Sequence, residues 1–133
     1  MPALLPDEIK AKLPRLYSQE KVRDPVVQVH FYSTGSEKWH WYILEGQQTQ
    51  RGYIMFAWVV GWDKELGYVS LIELEAVNDR SIQLELQVPK GFFAIPGPTL
   101  KDIIHDGNIV RDENWRPLPL SAVKRLHRST GNG

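Results

Sequence analysis

Apolar and polar side chains alternate most clearly in the run VVQVHFY. Val27, Val29 and Phe31 fall on one face of an extended segment, and Gln28, His30 and Tyr32 on the other. Asp24-Pro25 turns the chain into this run, and its β-branched and aromatic residues predict a strand. The loop STGSE, with Gly35, separates it from KWHWYILEG, so the two runs read as an antiparallel hairpin of Val26–Tyr32 with Lys38–Glu45. Trp39, Trp41 and Ile43 should share the buried face with Val27, Val29 and Phe31, because a slip of one residue turns three large apolar side chains to the wrong side. The other face then carries Gln28, His30, Tyr32, Lys38, His40 and Tyr42. EGQQTQRG reads as a polar loop. The run from Gly52 to Trp62 is apolar on both faces, which predicts a central strand covered on both sides. Gly61 marks a bulge or a close backbone approach.

Shorter patterns flank this core. Asp7 is placed to cap a helix over Glu8–Leu13, which Pro14 ends. DKELG reads as a turn. Ser70-x-x-Glu73 is a capping-box pattern opening a helix from Leu71 to Val77, which Asn78-Asp79 closes. SIQLELQV alternates as a half-solvated strand, and PKGFFAIPGP is a stiff connection with few backbone donors. Thr99-x-x-Asp102 opens another short helix, stopped at Gly107 by the left-handed conformation glycine tolerates. RDENWRPLPL is irregular and must place Trp115 through tertiary contacts. Ser121 begins a last helix, AVKRLHR, and the tail frays from about residue 129. No repeat or linker divides residues 1–133, so a single domain is expected. Its class is α+β: a mainly antiparallel sheet of four or five strands, with short helices at its ends or packed on one face.

Composition narrows the function classes. The 133 residues include 16 Lys plus Arg against 16 Asp plus Glu, a net charge of zero, which excludes a globally basic nucleic-acid coat but not a local patch. The absence of cysteine removes disulfides, thiolate nucleophiles, zinc ribbons and iron–sulfur clusters. Tyr53–Trp62, the longest apolar stretch, is about half of what a bilayer requires, and MPALLPDEIK lacks the basic and apolar regions of a secretory leader. The expectation is a cytoplasmic protein with no membrane partner.

LLPDEIKAKLPRLYSQEKVRDPVVQVHFY, WHWYILEG and VVGWDKELGYVSLIELEAV, in that order and spacing, resemble the bacterial domain of unknown function 2958 family. The likeness runs over residues 4–88 and takes in RPLPLSAV near the end, but does not extend across Phe92–Arg111. Members of that family are carried by plasmids, integrative elements and phages. The resemblance implies such a genomic setting and a single-domain fold. It supplies no catalytic residues.

Four groups of residues carry candidate chemistry. His30, His40, Tyr32 and Tyr42 share the polar hairpin face, where two imidazoles on neighbouring strands can exchange protons or begin a metal site. His105 and His127 lie in other elements, so a third ligand at fixed spacing is missing, and a covered amphipathic face explains the same residues. Asp63, Glu65, Glu73 and Glu75 offer carboxylates for acid/base or Mg²⁺ chemistry. Glu73 and Glu75, however, diverge by about 200° on a helix. Basic residues gather near both ends, with Lys10, Lys12, Arg15, Lys21 and Arg23 early and Arg116, Lys124, Arg125 and Arg128 late. If the termini meet, these cations can follow a phosphate backbone. Of the five tryptophans, Trp62 beside a charged turn is the one expected at the surface, where it suits a protein partner or base stacking.

No phosphate loop, nucleophile elbow, HExxH or EF-hand pattern is present. The leading reading is therefore a non-enzymatic accessory or binding protein without a cofactor or metal. It would act through a protein partner or weak nucleic-acid contact, with Trp62, Lys124, Arg125 and Arg128 as binding residues. One rival is a small metal-assisted hydrolase using the acidic turn or the His/Tyr sheet face, with His30, His40, Glu73 and Glu75 as candidate catalytic residues. Another is a structural homodimer paired through an exposed edge strand.

Overall fold

The alternation around His30 is realised as a strand pairing that puts large side chains on both faces of one sheet. The computed structural model describes residues 3–84 and 99–130. In chain order the elements are α1 (Asp7–Lys10), β1 (Val26–Val27), β2 (Val29–Ser33), β3 (His40–Thr49), β4 (Gly52–Val60) and β5 (Lys64–Ser70). There follow α2 (Leu71–Asn78), α3 (Leu100–Ile103), β6 (Ile109–Arg111), β7 (Leu118–Pro119) and α4 (Leu120–Thr130). Five strands form an antiparallel sheet in the order β5-β4-β3-β2-β6, and β1 and β7 pair separately. This is the α+β arrangement the sequence predicts. Among the described residues, no helix is long and apolar enough to cross a membrane.

The hairpin has the expected register, with Val29 opposite Ile43 and Phe31 opposite Trp41. These side chains are buried with Met55 and Leu74 in a core between the sheet and the layer of α2, α3 and the N-terminal segment. Val27 departs from the expectation. Strand pairing is interrupted at Gln28, whose N–H donates to the Ile43 carbonyl at 2.8 Å. Val27 consequently joins a second core on the opposite face, with Tyr42, Leu44, Trp58, Leu120 and Val123. The sheet is thus covered on both sides, as the two-sided apolar run of β4 requires.

Three expected loops are strands. EGQQTQRG is not a polar loop: Glu45–Thr49 continue β3, and a bulge between Ile43 and Glu45 resets the register so that Gln47 and Gln48 pair with Ile54 and Tyr53. The buried Glu45 carboxylate at this bulge accepts the N–H groups of Tyr17 (2.8 Å) and Gln19 (2.7 Å), fixing a loop where Tyr17 has φ of 71°. DKELG, expected as a turn, enters β5, because Lys64–Ser70 find a complete partner in β4. Part of the irregular 111–120 segment, with the residues before it, forms β6 and β7. Asn78, at the end of α2, binds both polar groups of Ile109 at 2.8 and 2.7 Å.

The local signals of the helices fare unevenly. α1 starts at Asp7 itself, with Pro6 before it and no side-chain cap. α2 forms where expected, but the Ser70 side chain caps nothing. At α3 the Thr99–Asp102 capping box is made, with Thr99 N–H reaching Asp102 at 3.0 Å. Gly107 is not left-handed; a Cβ there would come within 2.0 Å of the Thr34 carbonyl oxygen, so the glycine permits a close backbone approach. Gly61 does the same beneath the Trp39 ring. Over residues 81–84 no strand forms, and the rest of SIQLELQV and all of PKGFFAIPGP lie outside the described residues. Asp24 caps α4 across 97 residues, accepting Ser121 N–H at 3.0 Å and the Ser121 hydroxyl at 2.6 Å.

Trp41 is 2% exposed beside Phe31. Trp41→Ala is expected to cost about 3–5 kcal/mol in denaturant unfolding. A loss below about 1 kcal/mol would place the indole outside the core.

Candidate functional site

The hairpin pairing sets His30 opposite Tyr42 and Tyr32 opposite His40, and all four project to the α4 side of the sheet. Antiparallel neighbours of this kind bring ring side chains into contact. His30 stacks on Tyr42 with centroids 4.5 Å apart and on His40 at 5.1 Å. Two residues outside the hairpin complete the cluster. The turn after β6 brings Asp112 to within 3.1 Å of His30 Nδ1, and α4 brings His127 Nε2 to 2.6 Å from the Tyr42 hydroxyl. Trp115 tilts over His30 at 5.2 Å and donates its indole N–H to the Val27 carbonyl at 3.1 Å.

The hydrogen-bond pattern assigns the tautomers. A carboxylate only accepts, so His30 donates from Nδ1 to Asp112. In the neutral ring, Nε2 then accepts, and it lies 2.9 Å from His40 Nδ1. His40 therefore donates from Nδ1, leaving its Nε2 as the unprotonated nitrogen. Burial lowers the His30 pKa, partly offset by the bond to Asp112. His40 is pushed down to about 4 by burial and then by His30 and His127. His127 is lowered by burial, then by Lys64 and His30. Tyr42 is pushed up to about 12, chiefly by burial, so its hydroxyl keeps its proton.

These values bear on chemistry. A general base works best with a pKa near the operating pH, and His40 at about 4 is a feeble base at neutrality. Rings in mutual contact at 4.5–5.8 Å leave no gap for a reacting group between them. Among the described residues, no group of three His, Asp or Glu is placed to hold a metal ion. The acidic candidates are dispersed: Asp63 follows β4, Glu65 lies on β5, and Glu73 and Glu75 are on α2.

The sequence reading left His127 and Asp112 outside this cluster. Leu120, Val123 and His127 fall at i, i+3 and i+7 of α4, so the helical stripe that buries the first two carries the imidazole inward. Asp112 had no local signal, because its role depends on β6 pairing with β2.

Lys10 and Lys12 do not join the cations of α4. Lys10 pairs with Asp7 at 3.8 Å and lies 5.1 Å from the Tyr53 ring centre. Lys12 lines a cavity of about 200 Å³ with Arg111, Asp112, Glu113 and Trp115. On α4, by contrast, Lys124, Arg128 and Ser121 join Lys64 around a cavity of about 280 Å³ that Trp58 also lines. Lys124 Nζ lies 5.9 Å from the Trp58 ring centre. Arg125, on the same helix, acts with Lys124 on Asp24, whose pKa is lowered mainly by its bonds to Ser121. Trp62 is 67% exposed, with Trp39 edge-on at 5.8 Å.

No family model, curated protein or solved structure matches the chain.

All three imidazoles of the cluster have folded pKa values below 6.5, so the unfolded chain takes up protons first as the pH falls. Their contribution to stability is complete above about pH 6.5 and shrinks as the pH falls towards about 4. Denaturant unfolding is expected to show lower stability at about pH 5 than at about pH 7, with a flatter dependence in a His40→Gln variant. Stability that stays level or rises on acidification would contradict a buried, neutral cluster.

Proposed function

We propose that this chain is a small non-catalytic accessory protein that grips a nucleic-acid backbone through the flank of α4 that meets Lys64 of the sheet. The observation carrying this reading is the convergence of Lys64, Lys124 and Arg128 around one cavity with no carboxylate among its lining residues. Cations so placed neutralise phosphates and release condensed counterions, a source of affinity that zero net charge over the whole chain does not remove. The genomic setting implied by the resemblance to the 2958 family, mobile elements acting in the cytoplasm, supplies the occasion for such contact. The hydrolase alternative gains no support from His30, whose two nitrogens are engaged with Asp112 and His40, or from His40, whose pKa is pushed down to about 4.

Titration with single- and double-stranded oligonucleotides at two salt concentrations tests the reading. Three neutralised phosphates predict an affinity loss of about 40-fold between about 50 and 200 mM salt. The double substitution Lys124→Glu/Arg128→Glu is expected to weaken binding to all sequences alike, since phosphate contacts carry no base information. Absence of binding at low salt, or binding indifferent to that substitution, would eliminate the proposal.

A further inference from the structure

Large apolar side chains exposed among the described residues are Tyr17, Val22, Trp62, Leu66, Tyr68, Ile72 and Leu126. Four of these lie in one eleven-residue stretch around β5, and their spacing is symmetric. Leu66 (48% exposed) and Tyr68 (57%) stand one residue before and after Gly67. Trp62 (67%) and Ile72 (45%) stand five before and five after. β5 is also an edge of the sheet: one side pairs with β4, and among the described residues no strand pairs with the other.

Edge strands are ordinarily blunted by proline, bulges or charge. β5 pairs with β4 without a register shift, contains no proline, and carries charge only at Lys64 and Glu65, so Leu66–Ser70 present an unprotected edge. Gly67 has no evident duty within the chain. Its φ is not positive, and an added Cβ would meet nothing within 4 Å.

From this arrangement we infer that the partner of β5 is β5 of a second copy, paired antiparallel about a two-fold axis through Gly67. In that register Leu66 faces Tyr68 of the other copy and Glu65 faces Val69, while Lys64 faces Ser70. No like charges oppose, and Trp62, just before β5, and Ile72, in the first turn of α2, lie beyond the two ends of the seam. Moving the axis to Leu66 sets Tyr68 against Lys64; moving it to Tyr68 sets Leu66 against Ser70 and leaves Lys64 beyond the paired strand. Of these three registers, the Gly67 one alone sets Leu66 against Tyr68 and keeps Lys64 off an apolar side chain. Leu66 and Tyr68 share the sheet face of Trp58 and Phe56, where Phe56 and Tyr17 extend the patch around the Tyr68 ring. The two sheets join into one of ten strands, and the interface is isologous, as a two-fold pair requires. A seven-residue strand gives a seam only about 24 Å long, at the small end of specific interfaces, so the dimer dissociates on dilution.

Sedimentation equilibrium from about 1 to 500 μM, a range bracketing weak specific complexes, should show the mass rising from 15.3 kDa towards twice that value. Leu66→Lys/Tyr68→Lys changes exposed side chains only, and should leave the folded spectrum intact while holding the mass at the monomer value. The register is tested by oxidation, since the chain has no cysteine of its own. Gly67→Cys places two thiols across the axis, where directly opposed Cα atoms lie about 4.5–5.5 Å apart, within disulfide range. Glu65→Cys, about 14 Å from its mate in this register, should cross-link at least tenfold more slowly. A monomer over the whole range, a dimer that survives the double lysine substitution, or Glu65→Cys cross-linking as fast as Gly67→Cys would each overturn the proposal.

Discussion

The pairing of β3 with β2 and β4 decides where every large side chain of this protein goes. β3 lies in the middle of the sheet, so its alternate residues feed two separate cores. Trp41 and Ile43 go to the side covered by α2 and α3; Tyr42 and Leu44 go to the side covered by α4. A strand covered on both faces has no slack in its register, since a slip exchanges the two sets of side chains. The bulge at Ile43–Glu45 is the one adjustment, and it gives Glu45 a buried position from which to hold the Arg15–Glu20 loop.

The second core has an unusual composition for an interior, with three imidazoles, a phenol and two indoles in contact. Burying polar rings is costly unless their nitrogens are hydrogen-bonded. The pairs Asp112–His30, His30–His40 and Tyr42–His127 meet that need, and they tie β2, β3, the turn after β6 and α4 to one another. Burial lowers the basicity of His30 and His40, and the bonds occupy both nitrogens of His30 and Nδ1 of His40.

The hairpin and its Trp41–Phe31 register, the α2 helix, the exposure of Trp62 and the two-sided burial of β4 were legible in the sequence, because each follows from local periodicity. What could not be read depends on partners distant in the chain. Residues 45–49 look like a polar loop until β4 is folded against them, and DKELG looks like a turn until β4 offers its other edge. Asp112 and His127 reach His30 and Tyr42 across 82 and 85 residues, distances at which spacing along the chain carries no signal. The α4 basic residues were visible as a group, but their separation from Lys10 and Lys12 was set by the two-layered covering of the sheet.

The central claim is that the histidine–tyrosine face is a closed seam that seats α4. A double-mutant cycle between Tyr42→Phe and His127→Gln, followed by denaturant unfolding at about pH 7, tests it most directly. The two rings approach at 2.6 Å across the sheet–helix boundary, so a coupling energy of about 1 kcal/mol or more is expected. Additivity within about 0.3–0.5 kcal/mol would mean that α4 is seated by other contacts and that this face is free for another role.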